Sequence, residues 1–140
     1  MSVECFLDTN ILLYAASHDP GDVVKREVAL RLLATTDFGI SLQLLQEFYH
    51  NCRVKARLAI ESKRAEAMIA ALLRRPWVPM DARLFTEARQ SCERWQLRYW
   101  DAAMLVSARA LGASIFYSDD LNHGQVYGGV EVVNPFRKSA

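Results

Sequence analysis

The strongest constraint on the fold is an alternation. Short apolar segments recur along the chain, and most are followed by a stretch long enough for a helix. Val3-Glu4-Cys5-Phe6-Leu7, Phe38-Gly39-Ile40-Ser41, Trp77-Val78-Pro79, Ser114-Ile115-Phe116-Tyr117 and Val130 to Val133 have the length and composition of buried strands. Between them, Asp8-Thr9-Asn10 starts a helix through Ile11 to Ala16, and residues 22–35 are amphipathic, with Val24, Val28, Ala29, Leu32 and Leu33 on one stripe. A helix from Leu42, capped by Ser41, carries Leu44, Leu45, Glu47 and Phe48, and another over about 61–74 stops before Pro76. Asp81 opens a helix to about Trp95, and Asp101 opens the next, ended by Gly112. Strands separated by helices join side by side and in parallel, with helices on both faces. The expected fold is therefore α/β and three-layered, a central parallel sheet of about five short strands flanked by helices, with residues 118–129 as a polar loop. Absence of repeats or linkers, at 140 residues, predicts a single domain over 1–140.

Composition narrows the class. Hydrophobic residues make up 51% and charged ones 24%, a balance that excludes a disordered chain. Glu4, Asp8 and Asn10 interrupt the N-terminal apolar run, so no signal peptide is expected. No segment approaches the roughly 18 apolar residues of a membrane span. Cys5, Cys52 and Cys92 are an odd set without a CxxC pair, which reads as small buried hydrophobes in a reducing cytoplasm. The net charge of +1 is unevenly spread: residues 51–75 carry seven basic side chains against two acidic ones, while residues 1–50 carry seven acidic against three basic. A basic stretch of this kind either attracts a polyanion or forms a solvated helical face.

The acids fall where a parallel sheet places its ligands, beyond the carboxyl ends of strands. Asp8 follows the first strand directly, and Asp119-Asp120 follow the strand ending at Tyr117 after Ser118 alone. Glu47 lies early in the helix after the second strand, and Asp101 opens a helix. Singly, each has a structural explanation: Asp8 as a helix cap, Asp101 as a partner of the helix dipole, Glu47 as an exposed helical acid, Asp119 and Asp120 as loop residues. Together they form a different object. Carboxylates gathered in one cleft raise one another's pKa and call for a compensating cation. A hard divalent ion accepts oxygen ligands, keeps part of its water and favours phosphate-bearing substrates.

An apolar strand ending in Asp8-Thr9-Asn10, an isolated Glu47, Asp101-Ala102-Ala103 opening an Ala-rich helix, and Ser118-Asp119-Asp120 together resemble the PIN domain. The stretch Asp120-Leu121-Asn122-His123-Gly124-Gln125, followed by Val132-Val133-Asn134-Pro135-Phe136, is similar to that of the VapC-like toxins of bacterial toxin–antitoxin pairs. The resemblance covers nearly the whole chain. It implies a metal-dependent endoribonuclease using Mg²⁺, or Mn²⁺, with Asp8, Glu47, Asp101 and Asp120 as catalytic and metal-holding acids. It implies 5′-phosphate and 3′-hydroxyl products. Ser118 takes the hydroxyl position of a Thr/Ser-x-Asp pattern, which selects Asp120 over Asp119. Thr9 and Asn10 are expected in support, orienting Asp8. Implied partners are single-stranded or loop RNA, a second copy of the chain and a small antitoxin that blocks the site; membranes are excluded. Arg53, Lys55, Arg57 and His123 are candidates for guiding the RNA backbone, and Trp95, Tyr99 and Trp100 for base stacking, with at least two of these three aromatics in the core.

Three other functions compete, one of them a purely structural interaction protein, which leaves the ordered acids unexplained. A non-catalytic RNA-binding module on the same fold has no need of all four acids. A phosphohydrolase for small molecules needs a phosphate-gripping loop, and no GxxxxGK[ST] follows the first strand.

Overall fold

The apolar run after Glu4 forms β1 (Cys5–Leu7), all three of whose side chains are buried, and the other strands are laid out around it. The structure is a computed structural model describing residues 2–137. After β1 come α1 (Thr9–Ala16), α2 (Val23–Thr35), β2 (Phe38–Ser41), α3 (Leu42–Val54) and α4 (Ser62–Leu72). They are followed by β3 (Trp77–Val78), α5 (Ala82–Trp95), α6 (Tyr99–Ala110), β4 (Ile115–Tyr117), β5 (Val126–Tyr127) and β6 (Val130–Val133). The sheet order is β3-β2-β1-β4-β6-β5. Every pairing is parallel except that of β5 with β6.

The order carries the functional consequence. From β1 the chain builds outward through β2 and β3 on one side, then crosses to β4 on the other. That reversal opens a crevice beyond the carboxyl ends of β1 and β4, where sheets of this kind bind ligands. The helices form the outer layers. α1 packs on α2 and α3, and α3 on α4, while α5 and α6 pair and α6 lies over β2, β4 and β6.

Phe6 and Phe116 are register partners on β1 and β4, with ring centroids 5.8 Å apart and at most 1% exposure. Leu7, Ile11, Ile40, Leu44 and Leu105 complete the sealed centre. Burying one such side chain stabilises by about 1.5–3 kcal/mol, so the strand ends that carry Asp8 and Ser118 stand on the firmest part of the molecule. Gly39 is fixed here by crowding. A Cβ at that position would meet Leu111 Cδ1 at 2.7 Å and Val3 Cγ2 at 3.1 Å.

The structure corrects the sequence reading in three places. The sheet has six strands, because the expected loop 118–129 contains β5, joined to β6 by Gly128 and Gly129 at φ +56° and +87°. Such angles let a two-residue turn follow the twist of its strands. The last long helix starts at Tyr99, not Asp101, since Arg98 is extended (φ −60°, ψ 146°) and Asp101 falls inside the first turn. On α2 the buried stripe is narrow: Ala29 is sealed, Leu32 and Leu33 pack partly on the core, and Val24 stays 73% exposed. Cys5 is buried as expected, while Cys52 and Cys92 are half-buried. No helix among the described residues is long and apolar enough to cross a membrane.

Candidate active site

All four acids singled out in the sequence line one cleft of about 570 Å³, together with Thr9 and Asn10. Each arrives from a different segment. Asp8 is the N-cap of α1, its Oδ1 accepting from Thr9 N at 2.7 Å, so its structural role and its place in the cleft coincide. Its Oδ2 accepts from Ser118 Oγ at 2.7 Å, and the same hydroxyl accepts from Asp120 N at 3.1 Å. One fully buried serine thus ties the acid after β1 to the acid after β4. Glu47, in the second turn of α3, accepts from Thr9 Oγ1 at 2.7 Å. Asp101 comes from α6, which runs back toward β4 and so presents its first turn at this same sheet edge.

Thr9 and Asn10 support other acids than the expected one. The Thr9 hydroxyl serves Glu47, and Asn10 Nδ2 donates to Asp119 Oδ1 at 3.3 Å and lies 3.3–3.4 Å from both Asp120 oxygens. Orientation of Asp8 falls instead to Ser118 and the backbone of Thr9. Asp119 does not line the cleft and turns to Tyr14, whose OH donates to Asp119 Oδ2 at 3.1 Å. Lys25 on α2 donates to that OH at 3.2 Å, its Nζ lying 4.7 Å from the Tyr14 ring centre. The pair Asp119-Asp120 is therefore divided, one carboxylate braced and the other presented. Breaking the brace with Tyr14→Phe should cost about 1 kcal/mol in chemical denaturation and measurably less in an Asp119→Ala background, where only the Lys25 contact is left to lose, a coupling that a double-mutant cycle reads directly.

Electrostatics show what the cleft demands. Asp8 is pushed up to about 7, first by burial and then by Asp120 and Glu47, against the lowering pull of Ser118 and Thr9. Burial also raises Asp101, with Arg98 opposing and Asp120 and Glu47 adding. Asp120 is raised by burial and by Asp119, and lowered by Asp8, Arg98 and Lys55. Arg98 escaped the sequence reading although a signal existed. A cation just before a helix opposes the helix dipole, which gives an arginine there a reason other than helix stability. The polar stripe Gln43, Gln46, His50 and Asn51 was also legible, because these residues surround Glu47 at helical spacing on α3 and line the cleft with it.

The donor set suits a small hard cation: carboxylate oxygens only, one of them buried and strained toward protonation. Among the described residues no three His, Cys, Asp or Glu side chains close tightly enough to hold an ion unaided.

The backbone-guiding candidates are dispersed. Lys55 ends α3 near enough to act on Asp120. Arg53 lies exposed over the Tyr49 ring, 5.8 Å from its centre. Arg57 is engaged elsewhere, at 2.9 Å from Asp19 and 3.1 Å from Asp22, where it clamps the turn between α1 and α2. His123 Nδ1 accepts from Asn134 N at 3.0 Å, and the residue stands outside the cleft lining. Of the three aromatics, Trp95 packs on Tyr127, Tyr99 is half-buried between Phe85 and Trp100, and Trp100 is exposed in the cleft.

A mostly parallel sheet with an acidic cleft at its switch point defines the class of α/β domains that bind ligands beyond the strand ends. The sequence matches the PIN domain family over residues 5–129, and the chain belongs to that family. No curated protein matches it in sequence. Among solved structures, a toxin–antitoxin complex from Klebsiella pneumoniae superposes with TM-score 0.69 at 17% identity, covering 96% of this chain and 100% of that one. VapC20 of Mycobacterium tuberculosis, a toxin cleaving the sarcin–ricin loop, gives 0.64 at 21% over 84% and 90%. VapBC2 of Rickettsia felis, bound to a promoter DNA fragment, gives 0.57 at 18% over 91% and 96%.

Proposed function

We propose that this PIN domain is an endoribonuclease that hydrolyses RNA phosphodiester bonds with Mg²⁺ or Mn²⁺, as the toxin of a toxin–antitoxin pair. The observation that supports it most is the meeting of Asp8, Glu47, Asp101 and Asp120, from four segments, in one cleft at the switch point. Asp8 and Asp101 would hold the ion, with Glu47 and Asp120 as the further acids available to it. When bound, the ion supplies acidification of a water and neutralisation of charge on the phosphate. The chain's own residues do the rest. Glu47, held by Thr9, would take a proton from the attacking water, and Arg98, which also lines the cleft, would supply a cation to the phosphate. Ser118 fixes Asp8 and Asp120 relative to each other, so their spacing does not drift when charge develops. The products are a 5′-phosphate and a 3′-hydroxyl. The toxin reading draws on the proteins of similar fold, and it adds a small antitoxin covering the cleft and a second copy of this chain as partners.

The test is incubation with structured cellular RNA in Mg²⁺ and in EDTA, comparing native protein with Asp101→Asn. Cleavage by native protein in Mg²⁺ alone is expected. Equal cutting by the variant, or cutting in EDTA, overturns the mechanism. RNA binding without cleavage, unchanged in the variant, establishes the non-catalytic module instead.

A further inference from the structure

We propose that Trp100 is a stacking platform for one nucleobase of the RNA strand, with Arg98 gripping the phosphate beside it. The proposal rests on RNA as the ligand of the cleft, and it adds a subsite that the acids alone do not define. Of the three tryptophans, Trp100 alone lines the cleft, and it remains 55% exposed. A large indole kept in water next to a cluster of acids has no packing role there. It is also held in place. Tyr99 meets it edge-on at 5.1 Å and 77°, and Phe85 meets Tyr99 at 5.9 Å and 62°, so a row of rings braces the indole from behind. Such bracing reduces the ordering cost when a flat ligand lands on the free face.

The neighbours identify that ligand. Arg98 is exposed on the extended turn before α6, close enough to lower both Asp101 and Asp120. Its planar fork matches a phosphate. Trp100 and Asp101 line the same cleft, so a base stacked on the indole shares that cleft with the acids. On the α3 side stand Gln46, His50 and Asn51, donors and acceptors suited to ribose and base edges. A nucleotide finds a ring, a cation and hydrogen-bonding groups in this cleft. Every base has a π-face, so the platform selects an unstacked nucleotide and not one sequence.

The experiment measures binding, which separates it from cleavage. The probe is a short fluorescein-labelled single-stranded RNA of mixed sequence, read by anisotropy with Asp8→Asn as the non-cleaving background. Trp100→Ala in that background should weaken binding roughly ten-fold or more, and Trp100→Phe should restore most of it. Replacing bases singly with abasic ribose should reveal one position at which Trp100→Ala no longer matters. Because Trp100 is exposed, its loss should leave the melting temperature close to that of the background protein. Unchanged RNA affinity on Trp100→Ala, or a deficit that no abasic position removes, overturns the platform; unchanged affinity assigns the indole to a protein partner. Binding that follows the stacking pattern in a protein that never cleaves RNA keeps this proposal and removes the nuclease reading. Absence of RNA binding removes both.

Discussion

Metal-free Asp8→Asn protein should be more stable than the native protein at about pH 8, converge with it as pH falls toward the ordinary carboxylate range, and lose both its stabilisation by Mn²⁺ and its RNA cleavage. The cause lies in the folded carboxyl, raised from 3.8 to about 7, with burial as the largest contribution. A group whose folded pKa is raised binds more protons folded than unfolded between those two values, so stability falls as pH climbs through that window. The loss is complete above the folded value and absent below the unfolded one. A rise of this size corresponds to about 4 kcal/mol as a ceiling. Whole domains are stable by only about 5–15 kcal/mol, so the effect is visible in thermal melts. Asparagine caps helices about as well as aspartate, but its NH2 in the Oδ2 place gives up the hydrogen bond from Ser118, so the gain at pH 8 falls short of that ceiling. A divalent ion should reverse the balance in native protein by favouring the charged carboxylate. At one hundred times its dissociation constant a ligand adds about 2.7 kcal/mol, and the variant should gain far less. Melting curves at several pH values, with and without Mn²⁺, check all of this. Identical pH profiles for the two proteins would remove the electrostatic argument.

The acid behind that prediction was legible because its position follows from chain direction. Asp8 comes directly after a buried strand, and a parallel sheet sends every such residue to one edge. The same logic pointed to Asp119 and Asp120 together, and the resemblance to the PIN domain implied Asp120 of the two; in the structure Ser118 Oγ accepts from Asp120 N while Tyr14 holds Asp119. What escaped was lateral. No local pattern links Tyr14 to Asp119 or Lys25 to Tyr14, because such pairs exist only after α1 and α2 have packed against the end of β4. Thr9 was expected to serve its neighbour Asp8, yet its hydroxyl reaches Glu47 on α3, a contact set by how two helices meet. Tyr127-Gly128-Gly129-Val130 carries a hairpin signal, but β5, with only two residues, is too short to stand out from the surrounding loop in the sequence.

Ser118→Ala should be the most damaging substitution that removes no carboxylate, lowering metal affinity or cleavage by about 10–100-fold. The side chain is fully buried, so loss of its hydroxyl admits no replacement water without a local opening. Two groups lose their partner together: Asp8 Oδ2, which accepts from Ser118 Oγ at 2.7 Å, and Asp120 N, which donates to it at 3.1 Å. The Ser118 donor is the strongest influence holding Asp8 down, so its removal drives that carboxyl further toward the protonated form, which binds cations poorly. Stability should fall by about 1–3 kcal/mol, since buried polar groups are left unpaired. Ser118→Thr keeps the hydroxyl and isolates chemistry from packing: it should retain most Mn²⁺ affinity at some cost in melting temperature from the added methyl. Titration of Mn²⁺ binding across the three proteins decides the matter. If alanine binds the ion as tightly as serine, the hydroxyl is a packing feature, and the coupling of Asp8 to Asp120 has no part in building the site.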